Sequence, residues 1–224
     1  MHYQIIKDEK AFDDFLNFLP AIFDTEVYYL SLFGRHKYCH DFPNVRDDAQ
    51  LARFTSSREH IKEKVLRLHS PIGSYKRDGL PVPEEAMALY IGLNPKSLVK
   101  ANSNMLIELA TRIVDGRLSF NPISLASSEI HTATGRKLFV DFDFDDADPQ
   151  YYTENIQRTL PEGSYRIIKT RGGFHLIVIL DKVRNVKDWY NIIKDFPGCD
   201  VKGSNVLTPV PGCVQGGFVP FFWR

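Results

Sequence analysis

The chain has 224 residues, 43 % hydrophobic and 12 % aromatic, enough for one large domain or two small lobes sharing a core. Lysine plus arginine equal aspartate plus glutamate at 28 each, so net charge selects no partner; a nucleic-acid enzyme stays allowed, because it needs a local basic groove and not an overall excess. Three scattered cysteines (Cys39, Cys199, Cys213) fit a reducing cytoplasm better than a disulfide framework, residues 1–10 hold no apolar signal core, and no run approaches a membrane span. A cytoplasmic protein with no membrane partner is expected.

Residues 8–23 carry apolar side chains at 12, 15, 16, 19 and 22, an amphipathic helix that Pro20 interrupts. Residues 26–33 read as a strand. In the next segment, Arg35-His-Lys-Tyr-Cys-His40, the zinc-ligand types His36, Cys39 and His40 lack a fourth ligand and a Cys-x-x-Cys partner; an irregular basic loop, of a kind that can touch nucleic acid, is the better reading. Residues 56–68 read as a helix capped by Ser56 or Ser57, with Ile61, Val65 and Leu68 inside and Arg58, Lys62, Lys64 and Arg67 on a charged face that is solvated or meets phosphate. A Gly- and Pro-containing loop or lobe junction covers 73–85. A buried strand is expected over 86–93, stopped by Asn94-Pro95, and a helix over 96–114 with Leu98, Leu106, Leu109 and Ile113 among its apolar positions. The start of that helix sets Lys96 and Ser97 where they serve either as a cap alone or as a phosphate seat. Residues 116–131 lack periodicity and are expected to connect two lobes.

The stretch 138–145 organises the rest. Val140, Phe142 and Phe144 alternate with Asp141, Asp143 and Asp145, so a strand sets three apolar residues on one face and three carboxylates on the other. Aspartate is disfavoured in strands and like charges in a row repel, so such a face calls for a cation. Carboxylates at i and i+2, ~6.6 Å apart along the strand, suit one or two Mg²⁺ or Mn²⁺ ions; Asp141 and Asp145 are too far apart to share one. One adjacent pair is expected to hold metal. Asp145 and Asp146 either end the strand or border the site, and Asp148-Pro149 caps and opens a helix to residue 160.

Residues 165–170 and 174–180 flank Gly172-Gly173, a dipeptide suited to a two-residue hairpin turn, which would set Thr170 opposite His175 with Lys169 and Arg171 nearby. A His and two cations at one hairpin end suit a metal-bound triphosphate. A short helix follows over 186–196, ended by Pro197-Gly198, then Cys199-Asp200-Val201 and apolar runs at 204–209 and 218–223. The C-terminal order of strand, helix, hairpin, helix, strand indicates an α+β layer with helices on one face of a mainly antiparallel sheet, a layout compatible with an RNA-recognition-like one.

With these residues in view the chain resembles the catalytic core of archaeo-eukaryotic primases, above all the bacterial, plasmid and phage primase-polymerases. Leu138-Phe139-Val140-Asp141-Phe142-Asp143 matches the first motif of that family, Gly173-Phe174-His175 its second and Cys199-Asp200 its third. Pro211-Gly212-Cys213-Val214-Gln215-Gly216-Gly217 is similar to a segment that often follows, with Cys213 where Thr is common, and residues 90–97 are weakly similar to an N-lobe segment. The resemblance is strong over about residues 138–218 and thin upstream. It implies a two-lobed primase-like core over residues 1–224, a single catalytic domain with an N-terminal α/β lobe to about 130 and an RNA-recognition-like lobe from about 131. It further implies a template-directed nucleotidyltransferase, a DNA primase or DNA polymerase, in a bacterial or phage-infected cell. Asp141, Asp143 and Asp200 would hold two divalent ions, Mg²⁺ or Mn²⁺. His175 would hold the nucleotide's phosphates with Lys169 or Arg171, beside Thr170 and Gly173; Lys96, Ser97 and Arg136 are candidate phosphate or template contacts. The implied partners are a single-stranded DNA template and dNTPs or NTPs, with a separately encoded helicase or other replication or defence protein as a further candidate. Two alternatives stand beside this reading: a metal-dependent nuclease or phosphohydrolase using the same Asp-x-Asp and His, and a non-catalytic single-strand-binding module, against which the carboxylates of the strand argue.

Overall fold

The computed structural model describes residues 1–39, 49–201 and 207–223. In chain order its elements are α1 (Glu9–Phe18), β1 (Glu26–Gly34), β2 (Ala49–Ser56), α2 (Ile61–Leu66), β3 (Lys76–Arg77), β4 (Leu80–Pro81), β5 (Met87–Ile91), β6 (Lys96–Ser97), α3 (Leu98–Val114), α4 (Pro122–Thr132), β7 (Phe139–Asp145), α5 (Thr153–Thr159), β8 (Tyr165–Thr170), β9 (Gly173–Ile179), α6 (Trp189–Lys194), β10 (Cys199–Val201), β11 (Thr208–Pro209) and β12 (Phe221–Trp223). The class is α+β with antiparallel sheets. Among the described residues no helix is long and apolar enough to cross a membrane.

The first sheet runs β11-β5-β1-β2, with β6 pairing the start of β1; the second runs β10-β7-β9-β8-β12. Within the second, β7-α5-β8-β9-α6-β10 forms a strand-helix-strand-strand-helix-strand unit. The alternation along β7 decides how its faces are used. Val140, Phe142 and Phe144 join Phe174, Leu176, Val178 and Ile167 in a core closed by Ile156 of α5 and Ile193 of α6. The opposite face contributes Ile168 and Ile177 to a second core, shared with Leu30, Leu32 and Leu89 of the first sheet and Phe12 and Phe15 of α1. Helix α1, capped by Asp8 accepting from the Ala11 N–H, wedges between the sheets, with Phe18 against Phe139 and Phe222. The chain then weaves the sheets together: β10 ends the second, β11 joins the first, and β12 returns to the edge of the second.

Several local expectations are corrected. Residues 116–131 do not form an extended connection: Gly116, at positive φ, follows the end of α3, and Asn121 caps α4 by accepting from Ile123 and Ser124 N–H, with Pro122 in the first turn. Asn-Pro was the available signal, masked by the weak apolar period of this surface helix. Ser56 closes a strand, β2, that hydrophobic alternation does not announce, and the helix after it is shorter than expected, a 3-10 turn over Arg58–His60 leading into α2. Lys96 and Ser97 form β6, and the helix starts only at Leu98, capped by Ser97. In the hairpin Thr170 pairs with Gly173 and Ile168 with His175, so the turn is Arg171-Gly172 and His175 lies two residues from its expected partner. The run expected over 204–209 lies outside the described residues up to 206; its remainder supplies β11. Asp148 caps as expected, accepting from the Gln150 N–H, but what it opens is a 3-10 turn over Pro149–Tyr151, and α5 begins only at Thr153.

Gly173 explains the shifted turn. A Cβ there would lie 1.9 Å from the Phe144 carbonyl oxygen and 3.2 Å from the Asp146 nitrogen, so only glycine lets β9 approach β7 at this point. Gly173→Ala is expected to cost about 1–3 kcal/mol and to lower the thermal midpoint by roughly 3–10 °C, read by calorimetry. An unchanged midpoint would mean that the strands separate at no cost here.

Candidate functional site

Three strands of the second sheet bring the predicted residues into one row. Asp143 of β7 is the register partner of Asp200 on β10 and of His175 on β9. Residues directly opposite in antiparallel strands have Cβ atoms about 4.5–5.5 Å apart, so both carboxylates and the imidazole share one patch of the sheet face. Asp141 lies two residues along β7 on the same side. Its Oδ1 is 2.8 Å from His175 Nδ1, whose N–H the carboxylate accepts, and its Oδ2 accepts the Thr208 hydroxyl at 2.6 Å. His175 Nε2 is then turned to Asp143, 3.4 Å from Oδ1. The imidazole is 8 % exposed and its two partners 12 and 16 %, so it is held between carboxylates in a nearly closed setting. Thr208 belongs to the first sheet, through its pairing with Ile91, so its bond to Asp141 crosses between sheets.

At Asp143 and His175 the row opens into a cleft of about 710 Å³ where the sheets meet. Asp143, Asp145 and Asp146 line one side; Arg35, Lys37 and Arg171 bring positive charge to the same space, with Tyr38, Tyr90, Thr170 and Gln215 between. The cationic side is tightly braced. Arg35 donates to the Tyr90 hydroxyl (3.0 Å), which lies 3.1 Å from that of Tyr38. Arg171 stacks on the Tyr38 ring at 4.8 Å, donates to the Tyr38 carbonyl, and its backbone N–H donates to the Gln215 side chain. Gly216 leaves room for this stack, because a Cβ there would overlap the Tyr38 ring and the Arg171 guanidinium. Burial, then neighbouring Tyr38, pushes the Tyr90 hydroxyl pKa well up. Burial, then the Asp200 and Asp143 charges, pushes the Cys199 thiol up to about 11.

The remaining predicted residues are distributed as follows. Thr170 and Arg171 line the cleft with His175. Lys169 lies on the other face of β8, its ammonium donating to the Ala147 carbonyl at 3.3 Å. Gly173 serves the strand approach described above. Ser97 caps α3 by accepting from the Lys100 N–H. Lys96 is 1 % exposed, and desolvation lowers its pKa to about 8. Arg136 holds the buried Glu26 carboxylate at 2.7 Å and stacks over Phe23. Of the three zinc-type residues, His36 lies in a 3-10 turn and Cys39 follows it, while His40 is outside the described residues. Sequence reasoning singled out the basic loop that carries Arg35 and Lys37, but not its arrival at the carboxylates. It missed Tyr38, Tyr90 and Thr208 as site residues, since each reads as ordinary loop or strand until the sheets are brought together.

Among the described residues no three His, Cys, Asp or Glu side chains form a cage for a metal on their own. Mg²⁺ does not require one, since it is held through one or two carboxylates and completes its shell with water and substrate phosphate. Asp143 with Asp200 fits that donor set; Asp141, with both oxygens engaged by His175 and Thr208, fits a supporting role. No protein-family model, curated protein or solved structure matches the chain.

Two expectations follow. Thr208→Val removes the donor to a nearly buried carboxylate oxygen and should destabilise the fold by about 1–3 kcal/mol in urea unfolding, while Thr208→Ser keeps most of the stability; equal behaviour of the two would remove the hydroxyl's role. Lys96 supplies a pH dependence. Its folded pKa of about 8 lies below the unfolded 10.5, so the unfolded chain binds more protons between these values and folding gains as pH rises through that window. Relative to Lys96→Met, the wild-type chain should gain up to about 1.4 kcal/mol per pH unit from about pH 8 to 10, and a constant difference would contradict it.

Proposed function

We propose that the chain is a template-directed nucleotidyltransferase of the primase-polymerase kind, joining nucleotides by metal-assisted phosphoryl transfer. The observation that carries this reading is the row Asp200–Asp143–His175 across three adjacent strands, of which Asp143 and His175 line a cleft that also holds Arg35, Lys37 and Arg171. Carboxylates paired for a divalent ion, with cations set apart from them in the same space, suit a metal-bound nucleoside triphosphate. The strand-helix-strand-strand-helix-strand unit supports the RNA-recognition-like part of the reading, with the first sheet as the second lobe of a primase-like core.

Asp143 and Asp200 would hold the ion, which when bound lowers the pKa of an attacking hydroxyl and stabilises the leaving pyrophosphate. The other residues position. Asp141 fixes the orientation of His175 and leaves Nε2 on the Asp143 side of the cleft, where the ring would contact a nucleotide phosphate. Arg171 and Arg35, braced on Tyr38 and Tyr90, would neutralise the phosphates without reorganising on binding. Lys37 would add charge at the rim. Asp145 and Asp146 border the entrance. The non-catalytic module is the less favoured reading, because this sheet face carries carboxylates and an imidazole, while the opposite face is covered by α5 and α6.

The test is nucleotide incorporation on a single-stranded template with Mg²⁺ or Mn²⁺, with and without a primer. Asp143→Asn and Asp200→Asn should each lower incorporation by roughly 10²-fold or more at unchanged thermal stability, and Arg171→Ala should weaken nucleotide binding by roughly tenfold or more. Products without a primer identify a primase and extension alone a polymerase. Shortening of the oligonucleotide, or full activity of folded Asp143→Asn, would overturn the proposal.

A further inference from the structure

Helix α3 buries only one of its 17 residues, Ala101, and exposes an apolar face. Val99, Leu106, Ile107 and Ile113 are 59–68 % exposed and Val114 more so. A soluble surface seldom carries so many contiguous large apolar side chains without a partner. Their spacing is specific: the exposed positions 99, 103, 106, 110 and 113 step by four, three, four and three. That is the 3.5-residue period of a seam made for another helix, over about 21 Å of axis. Along it large residues (Val99, Leu106, Ile113) alternate with small ones (Ser103, Ala110).

We infer that α3 is the docking face for a second copy of this chain, with the two α3 helices paired antiparallel about a two-fold axis near residues 107 and 108. The alternation is self-complementary in that direction. Leu106 of each chain falls opposite Ala110 of the other and Ile113 opposite Ser103, so these two large side chains each meet a small one, and symmetry supplies each contact twice. Charge agrees: Lys100 at the start of one helix comes towards the carbonyl end of the other, where a cation is favoured. The alternative antiparallel register, with Leu106 opposite Ser103, leaves Ile113 and Val114 in water. In the inferred register Val99 instead reaches the segment after the copy's α3, where Leu118 is also exposed. The inference is independent of the catalytic reading, since α3 contributes nothing to the cleft lining.

The test is size-exclusion chromatography with light scattering across a range of protein concentrations, joined to cross-linking with a short bismaleimide. A dimer is expected for the unaltered chain, and Leu106→Glu and Ala110→Glu should each weaken it at least about tenfold without lowering the thermal midpoint of the fold. Ile107→Cys should link to its own mate above the level given by the unaltered chain, whereas Val99→Cys, at the far end of an antiparallel seam, should not. A monomer at every concentration would overturn the inference. So would a dimer indifferent to both Glu variants, absence of the Ile107→Cys link, or an equally strong Val99→Cys link, which marks parallel helices.

Discussion

Asp141 is bound on two sides. One carboxylate oxygen holds the ring of His175 on the neighbouring strand, and the other accepts the hydroxyl of Thr208, which belongs to the first sheet. A carboxylate withdrawn from water is tolerated only when its oxygens are satisfied, so these bonds fix more than a side chain. They tie the register of β7 against β9 to the placement of β11, and through β11 to β5, which carries Tyr90. The relative position of carboxylates and cations in the cleft therefore depends on a contact that is itself part of the site.

The same economy runs through the second sheet. Period-two alternation gives β7 an apolar face that pays for burial against α5 and α6 and a polar face that meets the cleft. Because β7 is a central strand, flanked by β10 and β9, its carboxylates acquire neighbours from both sides at fixed spacing. Two glycines permit the close approaches: Gly173 lets β9 lie against the Phe144 carbonyl, and Gly216 leaves the space in which Arg171 stacks on Tyr38. The site is thus placed by backbone pairing, with long side chains used only where they are stacked or hydrogen bonded.

Where the local pattern was strong, sequence reasoning found the element. The acidic strand, the hairpin, the buried strand around residue 89 and the Asp148 cap each arise from interactions within a few residues. It went astray where the deciding contact is distant or the pattern faint. Residues 116–131 read as a connection because a surface helix needs little apolar period. The hairpin was set two residues off because Gly-Gly suggests a turn, while the approach of β9 to Phe144, set by another strand, claims Gly173. Lys96, read at a helix start as part of a cap or a phosphate seat, is instead buried by the pairing of β6 with β1.

The sequence by itself determined the antiparallel α+β character and the two-faced β7, with Asp141 and Asp143 on one side of it, because alternation and turn residues act locally; Asp200 entered as a candidate only through the family resemblance. Only the tertiary structure decided how Asp141, Asp143, His175 and Asp200 are arranged: Asp143 in register with Asp200, Asp141 turned to His175 and Thr208, and the Arg35–Tyr38 loop brought beside them. Those assignments come from pairing between strands far apart in the chain, and no local preference encodes which strand will become a neighbour.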